Sequence, residues 1–181
     1  ARGKAWADEL GCDYEPCLEK ALAREDVDAV SVCTATGMHK DVIIAAAKAG
    51  KAVFTEKVLS FTAGEAREIA DVIHETGVPF LISLRRRTEA RINYVKKLLD
   101  EGAIGTVTHL RVRDAHDGAS SGWLPDTFFD IKQCGGGAMM DLGAHPMYLC
   151  LYLLGEPKKV SSTFTEMTGK GADDNCITVL E

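Results

Sequence analysis

In GGGAMMDLGAHPMYLCLYLLG, residues 135–155, an aspartate and a histidine stand four positions apart in an otherwise apolar segment. On a helix that spacing puts Asp141 and His145 on one face. A carboxylate beside an imidazole raises its pKa and orients its tautomer. Such a pair suits a general base that removes a hydroxyl proton while hydride leaves the carbon. The glycines ahead of it would let the chain pass close to a ligand. Alone, the pair is equally compatible with two polar residues satisfied at the start of a core helix. Gly143 and Pro146 make that start irregular.

Two further stretches carry chemistry. TEKV, residues 55–58, closes an apolar β-rich run, so Glu56 and Lys57 fall on its carboxyl-end rim. A lysine held beside a cofactor has its pKa lowered by desolvation and cationic neighbours, and can serve as acid or base. TATGMH, residues 34–39, lies where another such run gives way to a helix. Its small residues would let a ligand approach the main chain, and a helix N-terminus favours an anion or a dipolar ring. Each stretch also reads as an ordinary strand end or turn. The patterns HExxH, GxSxG, GxGxxG and the Walker loop do not occur. His39, His116 and His145 lack ligand spacing and the six cysteines form no CxxC pair, so no metal is expected.

The elements that must place these groups follow from the rest of the chain. Its 181 residues suffice for one domain or pieces of two, and 46% hydrophobic with 27% charged residues is globular composition. A net charge of −6, with Arg85, Arg86 and Arg87 as its basic cluster, argues against a nucleic-acid partner. The longest apolar stretch, MYLCLYLL, falls short of a bilayer span, so no membrane is expected. The first residues do not read as a signal peptide. Cysteines scattered through apolar segments suit a cytoplasmic location. The chain does not open on Met, which points to a start within a longer protein.

Periodicity and end signals predict helices over ARGKAWADELG, PCLEKALARED, HKDVIIAAAKAGK and SFTAGEAREIADVIHETG, the last with Thr62 and Glu65 as a capping box. DAVSVCTA, AVFTEK and VPFLISL read as strands buried on both faces. The alternation predicts an α/β fold with a doubly wound parallel sheet, in which the strand ends at Thr34 and Thr55 share the ligand-binding edge. After Leu84 the character changes. A helix over ARINYVKKLLDEGAIG, an alternating strand THLRVRDAH, a Gly-rich loop, a helix over roughly 139–154 and two alternating strands, VSSTFTEM and NCITVLE, predict part of an α+β domain. GKGADD between those last strands reads as a hairpin loop. Domains of 1–84 and 85–181 are expected.

Three segments, CTATGMHKDVIIAAAKAGKAVFTEK, RRRTEARINYVKKLLDEGAIGTVTHLRVRD and GGGAMMDLGAHPMYLCLYLLG, together resemble the Gfo/Idh/MocA family of NAD(P)-dependent oxidoreductases over nearly the whole chain. The resemblance implies a Rossmann-type dinucleotide-binding domain followed by a substrate and oligomerisation domain with an open mixed or antiparallel sheet. It implies NAD or NADP as cofactor, a sugar, cyclitol or related polyol as substrate, and a parent that is a homo-dimer or tetramer. By it, Lys57 matches the lysine beside nicotinamide and substrate hydroxyl, His145 the acid/base histidine, and Asp141 its acidic partner. Thr34, Ala35, Thr36, Gly37, His39 and Glu56 fall in the cofactor-lining segments. Arg86, Trp123 and Tyr148 are weaker candidates for the substrate wall.

Four positions depart from the family pattern. Val58 and Ala35 stand where proline is frequent, Arg85 where Asn is common, and Tyr148 where many members have Asp. Val58 and Tyr148 favour the alternative reading, a non-catalytic cofactor-binding or structural member; intact Lys57, Asp141 and His145 oppose it. The resemblance also places the family's first strand, Gly-rich turn and second strand ahead of Ala1, and its distal strands after Glu181. Without them Val30 and Val32 are expected at an exposed apolar edge. The chain by itself is expected to bind NAD(H) weakly or not at all, which calorimetry would read.

Overall fold

The computed structural model describes residues 2–181. Two compact units emerge, one running up to Thr34 and over Met38–Ile82, the other over Ala35–Gly37 and Ser83–Glu181.

In the first unit, helices α1 (Arg2–Leu10) and α2 (Leu18–Leu22) precede three parallel strands, β1 (Ala29–Val32), β2 (Ala52–Thr55) and β3 (Phe80–Ile82), ordered β1-β2-β3. Helices α3 (His39–Lys48) and α4 (Ala63–Thr76) make the two crossovers. The expected parallel α/β arrangement is therefore present, and Val32 registers with Thr55 so that the carboxyl ends of β1 and β2 coincide. The core joins α2, α3 and α4 to the sheet through Leu22, Val32, Ile43, Ala46, Val53 and Ile69. Ile43 and Ile69 are fully buried, each contributing about 1.5–3 kcal/mol by burial. The α4 end signals act as expected: Thr62 and Glu65 form a reciprocal capping box, and Gly77 closes the helix with φ 66°.

The strands differ from expectation in being buried on one face. Side chains alternate across the sheet, so Val32, Val53 and Thr55 point under the helices while Ser31, Phe54 and Leu81 point the other way. β1 is the edge strand of this sheet, as expected, but Val32 there is 1% exposed and Val30 half-buried, whereas Leu81 is 62% exposed.

The second unit begins with a 3-10 turn at Arg85–Thr88 and helix α5 (Ala90–Asp100). After a long loop come α6 (Ile131–Cys134), α7 (Ala138–Asp141), α8 (Ala144–Leu154) and an antiparallel hairpin of β4 (Val160–Thr165) and β5 (Asn175–Leu180). Two expectations are corrected here. THLRVRDAH forms no strand; a strand needs a ladder partner, and no strand pairs with it among the described residues. The helix expected over 139–154 is broken between α7 and α8. Pro146 has no N–H to offer the Leu142 carbonyl, which accepts from His145 N–H at 3.0 Å instead, and Gly143 N–H reaches back to Ala138 O at 3.0 Å. Asp141 thus ends one helix and His145 lies in the first turn of the next.

Candidate functional site

In the first unit the chemistry gathers at the carboxyl ends of β1 and β2. Glu56 N–H donates to Val32 O at 3.0 Å, which extends the ladder by one bond past β2 and fixes where Glu56 and Lys57 emerge. Thr55, fully buried, anchors that strand end, its hydroxyl donating to Glu56 O at 3.2 Å. The Lys57–Val58 peptide bond is cis.

His39 ties the two strand ends together. It is 1% exposed, with Nδ1 2.8 Å from Val58 O and Nε2 3.1 Å from Thr34 O. A neutral ring carries one N–H and so serves one carbonyl; both are served by the doubly protonated ring. Either way the imidazole is turned onto main chain on both sides. Thr34, Ala35 and Gly37 are exposed, and the chain passes from them through the 3-10 turn Thr36–Met38 into α3. This exposed rim of small residues fits the approach of a planar ring or ribose to main chain.

In the second unit, His145 stands on Tyr148. Its Nδ1 lies 2.9 Å from the Tyr148 hydroxyl, with the ring centroids 5.6 Å apart at 80°. The same hydroxyl accepts from Arg86 N–H at 3.1 Å. Arg86 in turn donates from its guanidinium to Asp114 at 2.6 Å. Two residues read from sequence as substrate wall are thereby engaged within the protein: Arg86 with Asp114, and Tyr148 with His145. Trp123 is 56% exposed. Its indole N–H donates to Asp117 Oδ1 at 2.8 Å, and its ring lies 4.8 Å from that of His116. Asp117 also accepts from the Ser121 hydroxyl at 2.7 Å. The Trp123 and Ser121 hydrogen bonds hold the Asp117 carboxyl below the usual carboxylate range.

Asp173, in the hairpin that sequence reading treated only as a loop, is the residue it missed. Its carboxylate accepts from Gly137 N–H at 2.9 Å and Met139 N–H at 2.8 Å, and its carbonyl accepts from Ala138 N–H at 2.7 Å. It thus serves the otherwise unsatisfied donors at the start of α7, the helix that carries Asp141. Gly137 is required by this approach, because a Cβ there would sit 1.9 Å from Asp173 O. Asp141 and Asp173 line one open cleft with His116, Leu124 and Phe128. Among the described residues no cluster of three or more His, Cys, Asp or Glu could hold a metal ion.

Residues 1–83 match the family model "Oxidoreductase family, NAD-binding Rossmann fold", and residues 92–181 match the GFO/IDH/MocA C-terminal domain. Inositol 2-dehydrogenase of Rhizobium meliloti is 30% identical over 96% of this chain and 51% of its own length. D-xylose 1-dehydrogenase (NADP(+)) 2 of Haloferax volcanii is 31% identical over 100% of this chain and 55% of its own. A levoglucosan dehydrogenase structure, in complex with NADH and levoglucosan, superposes with TM-score 0.84 at 25% identity, over 99% of this chain and 51% of that one. The chain spans about half the length of the curated relatives it matches. Both halves of the chain match models of one family, and this chain belongs to the Gfo/Idh/MocA oxidoreductases.

Proposed function

We propose that this chain serves a dehydrogenase or reductase that moves hydride between a nicotinamide cofactor, NAD or NADP, and a hydroxyl- or carbonyl-bearing carbon of a sugar, cyclitol or related polyol. The observation that carries the reading is the placement of Lys57. It emerges one residue past the β1–β2 ladder, at the carboxyl end of a parallel sheet, in a chain whose residues 1–83 match a NAD-binding model. The relatives named above act on inositol, xylose and levoglucosan by their names.

The bound nicotinamide would supply or take the hydride. Thr34, Ala35, Thr36 and Gly37 would line it, with Glu56 and His39 setting the rim. His39 acts here through the main chain it holds, since both its ring nitrogens face carbonyls. Lys57 would hydrogen-bond the substrate oxygen and polarise it. His145 would exchange the hydroxyl proton, and Asp141 would orient it or grip a neighbouring hydroxyl. No helix among the described residues is long and apolar enough to cross a membrane. Six free cysteines support a reducing cytoplasmic setting, and the parent protein is proposed to be a homo-oligomer.

Replacing Lys57 with Ala in the full-length protein tests the reading. Turnover of the preferred polyol should fall about 100-fold or more, with cofactor affinity within a few-fold of wild type. Unchanged turnover would remove Lys57 from the site.

A further inference from the structure

His116 is held by a hydrogen bond whose direction is fixed. Gly118 N–H donates to its Nδ1 at 3.0 Å. A main-chain amide can only donate, so Nδ1 keeps its lone pair there and the neutral ring carries its proton on Nε2. Among the described residues the ring makes no other hydrogen bond. The loop around it is closed on itself. Ser121 N–H donates to Asp117 O at 2.7 Å and Leu124 N–H to Gly118 O at 3.3 Å, while the Asp117 carboxylate ties Trp123, whose ring packs on the imidazole. A Cβ on Gly118 would stand 2.9 Å from both Nδ1 and Cε1 of His116 and 3.1 Å from the Trp123 ring. The glycine therefore lets the Nδ1–Cε1 edge lie against main chain, and the Nε2–Cδ2 edge is turned away from it. His116 lines the same cleft as Leu124, Phe128 and Asp141.

We propose that His116 is a specificity-determining residue whose Nε2–H donates to a hydroxyl oxygen of the bound polyol, one other than the hydroxyl that is oxidised. This rests on the reading of the chain as a polyol oxidoreductase with Asp141 at its site. The fixed tautomer makes the ring a donor on its Nε2 edge while it is neutral, so the position selects an acceptor oxygen and rejects an analogue with only C–H there. Leu124 and Phe128 in the same cleft offer apolar contact to a C–H face of the sugar or cyclitol ring. One polar group among apolar neighbours fixes how the ring lies, and so which carbon is presented for hydride transfer.

The full-length protein tests this with myo-inositol, D-xylose and levoglucosan, each beside its monodeoxy analogues, in wild type and two variants. His116→Asn keeps an oxygen to accept from Gly118 N–H and removes the Nε2 donor. His116→Phe keeps a ring against Trp123 and removes both nitrogens. For the polyol that wild type prefers, both variants should lower kcat/KM about 10-fold, through KM. For the one monodeoxy analogue that lacks the accepting oxygen, wild type and variants should be alike. Wild-type values in His116→Asn, or an equal loss on every analogue, would mean that His116 only holds the loop, and either overturns the proposal. If His116→Phe does not fold, His116→Asn decides alone. Where a polyol binds without turnover, the same comparison is read from Kd by calorimetry. Binding that depends on His116 without turnover upholds this inference and defeats the hydride-transfer reading. Turnover indifferent to His116 does the reverse, and neither binding nor turnover on any of the panel overturns both.

Discussion

Asp173 shows how a single side chain can set the entry to a site without belonging to its chemistry. Its carboxylate takes two main-chain donors at the start of α7, 36 and 34 residues back along the chain. Asp173→Ala should therefore cost about 1–3 kcal/mol in denaturant unfolding, and Gly137→Ala should be no milder, since the added Cβ meets Asp173 main chain. A second residue-scale prediction concerns Asp117. Hydrogen bonds from Trp123 and then Ser121 lower its pKa in the fold. The hold on the loop is therefore complete above the ordinary aspartate range and lost as pH falls through the lowered value. In a Trp6→Phe background, Trp123 emission should show a transition at pH below the usual carboxylate titration, and Asp117→Asn should abolish it. Absence of that transition, or its survival in Asp117→Asn, would contradict this. Asp141 and His145 stood out in the sequence because their spacing is local. Asp173 did not, because its partners are backbone amides far away along the chain. Tyr148 was visible as a departure, yet its bond to His145 depends on side-chain direction, which spacing does not specify.

At the scale of elements, what was legible followed from short-range physics. The parallel strands, the α3 and α4 crossovers and the α4 capping box all rest on patterns within a few residues. Thr62→Ala should cost about 1 kcal/mol. Ile43→Ala, at a fully buried position on α3, should cost about 2–5 kcal/mol; an effect below that of Thr62→Ala would mean α3 does not hold the core. What failed depended on neighbours. An apolar run reads as buried on both faces, but Phe54 and Leu81 alternate away from the helices and stand exposed. THLRVRDAH has strand-like alternation, and alternation does not supply a ladder partner. The break between α7 and α8 was foreshadowed by Gly143 and Pro146, but its form, with Leu142 O redirected to His145 N–H, comes from how the chain satisfies that carbonyl.

For the molecule as a whole, each unit brings one proposed reactive group to a defined position: Lys57 past the β1–β2 ladder and His145 against Tyr148. The family match covers both units, so the account stands or falls on whether these groups serve hydride transfer. The direct measurement is the formation of reduced nicotinamide by the full-length protein with a panel of inositols, pentoses and anhydrosugars, comparing wild type with His145→Gln. The account predicts turnover on at least one polyol, lowered about 100-fold or more in the variant, with cofactor affinity preserved. Wild-type-like turnover in His145→Gln, or no turnover by the wild type on any of the panel with either NAD or NADP, would contradict it.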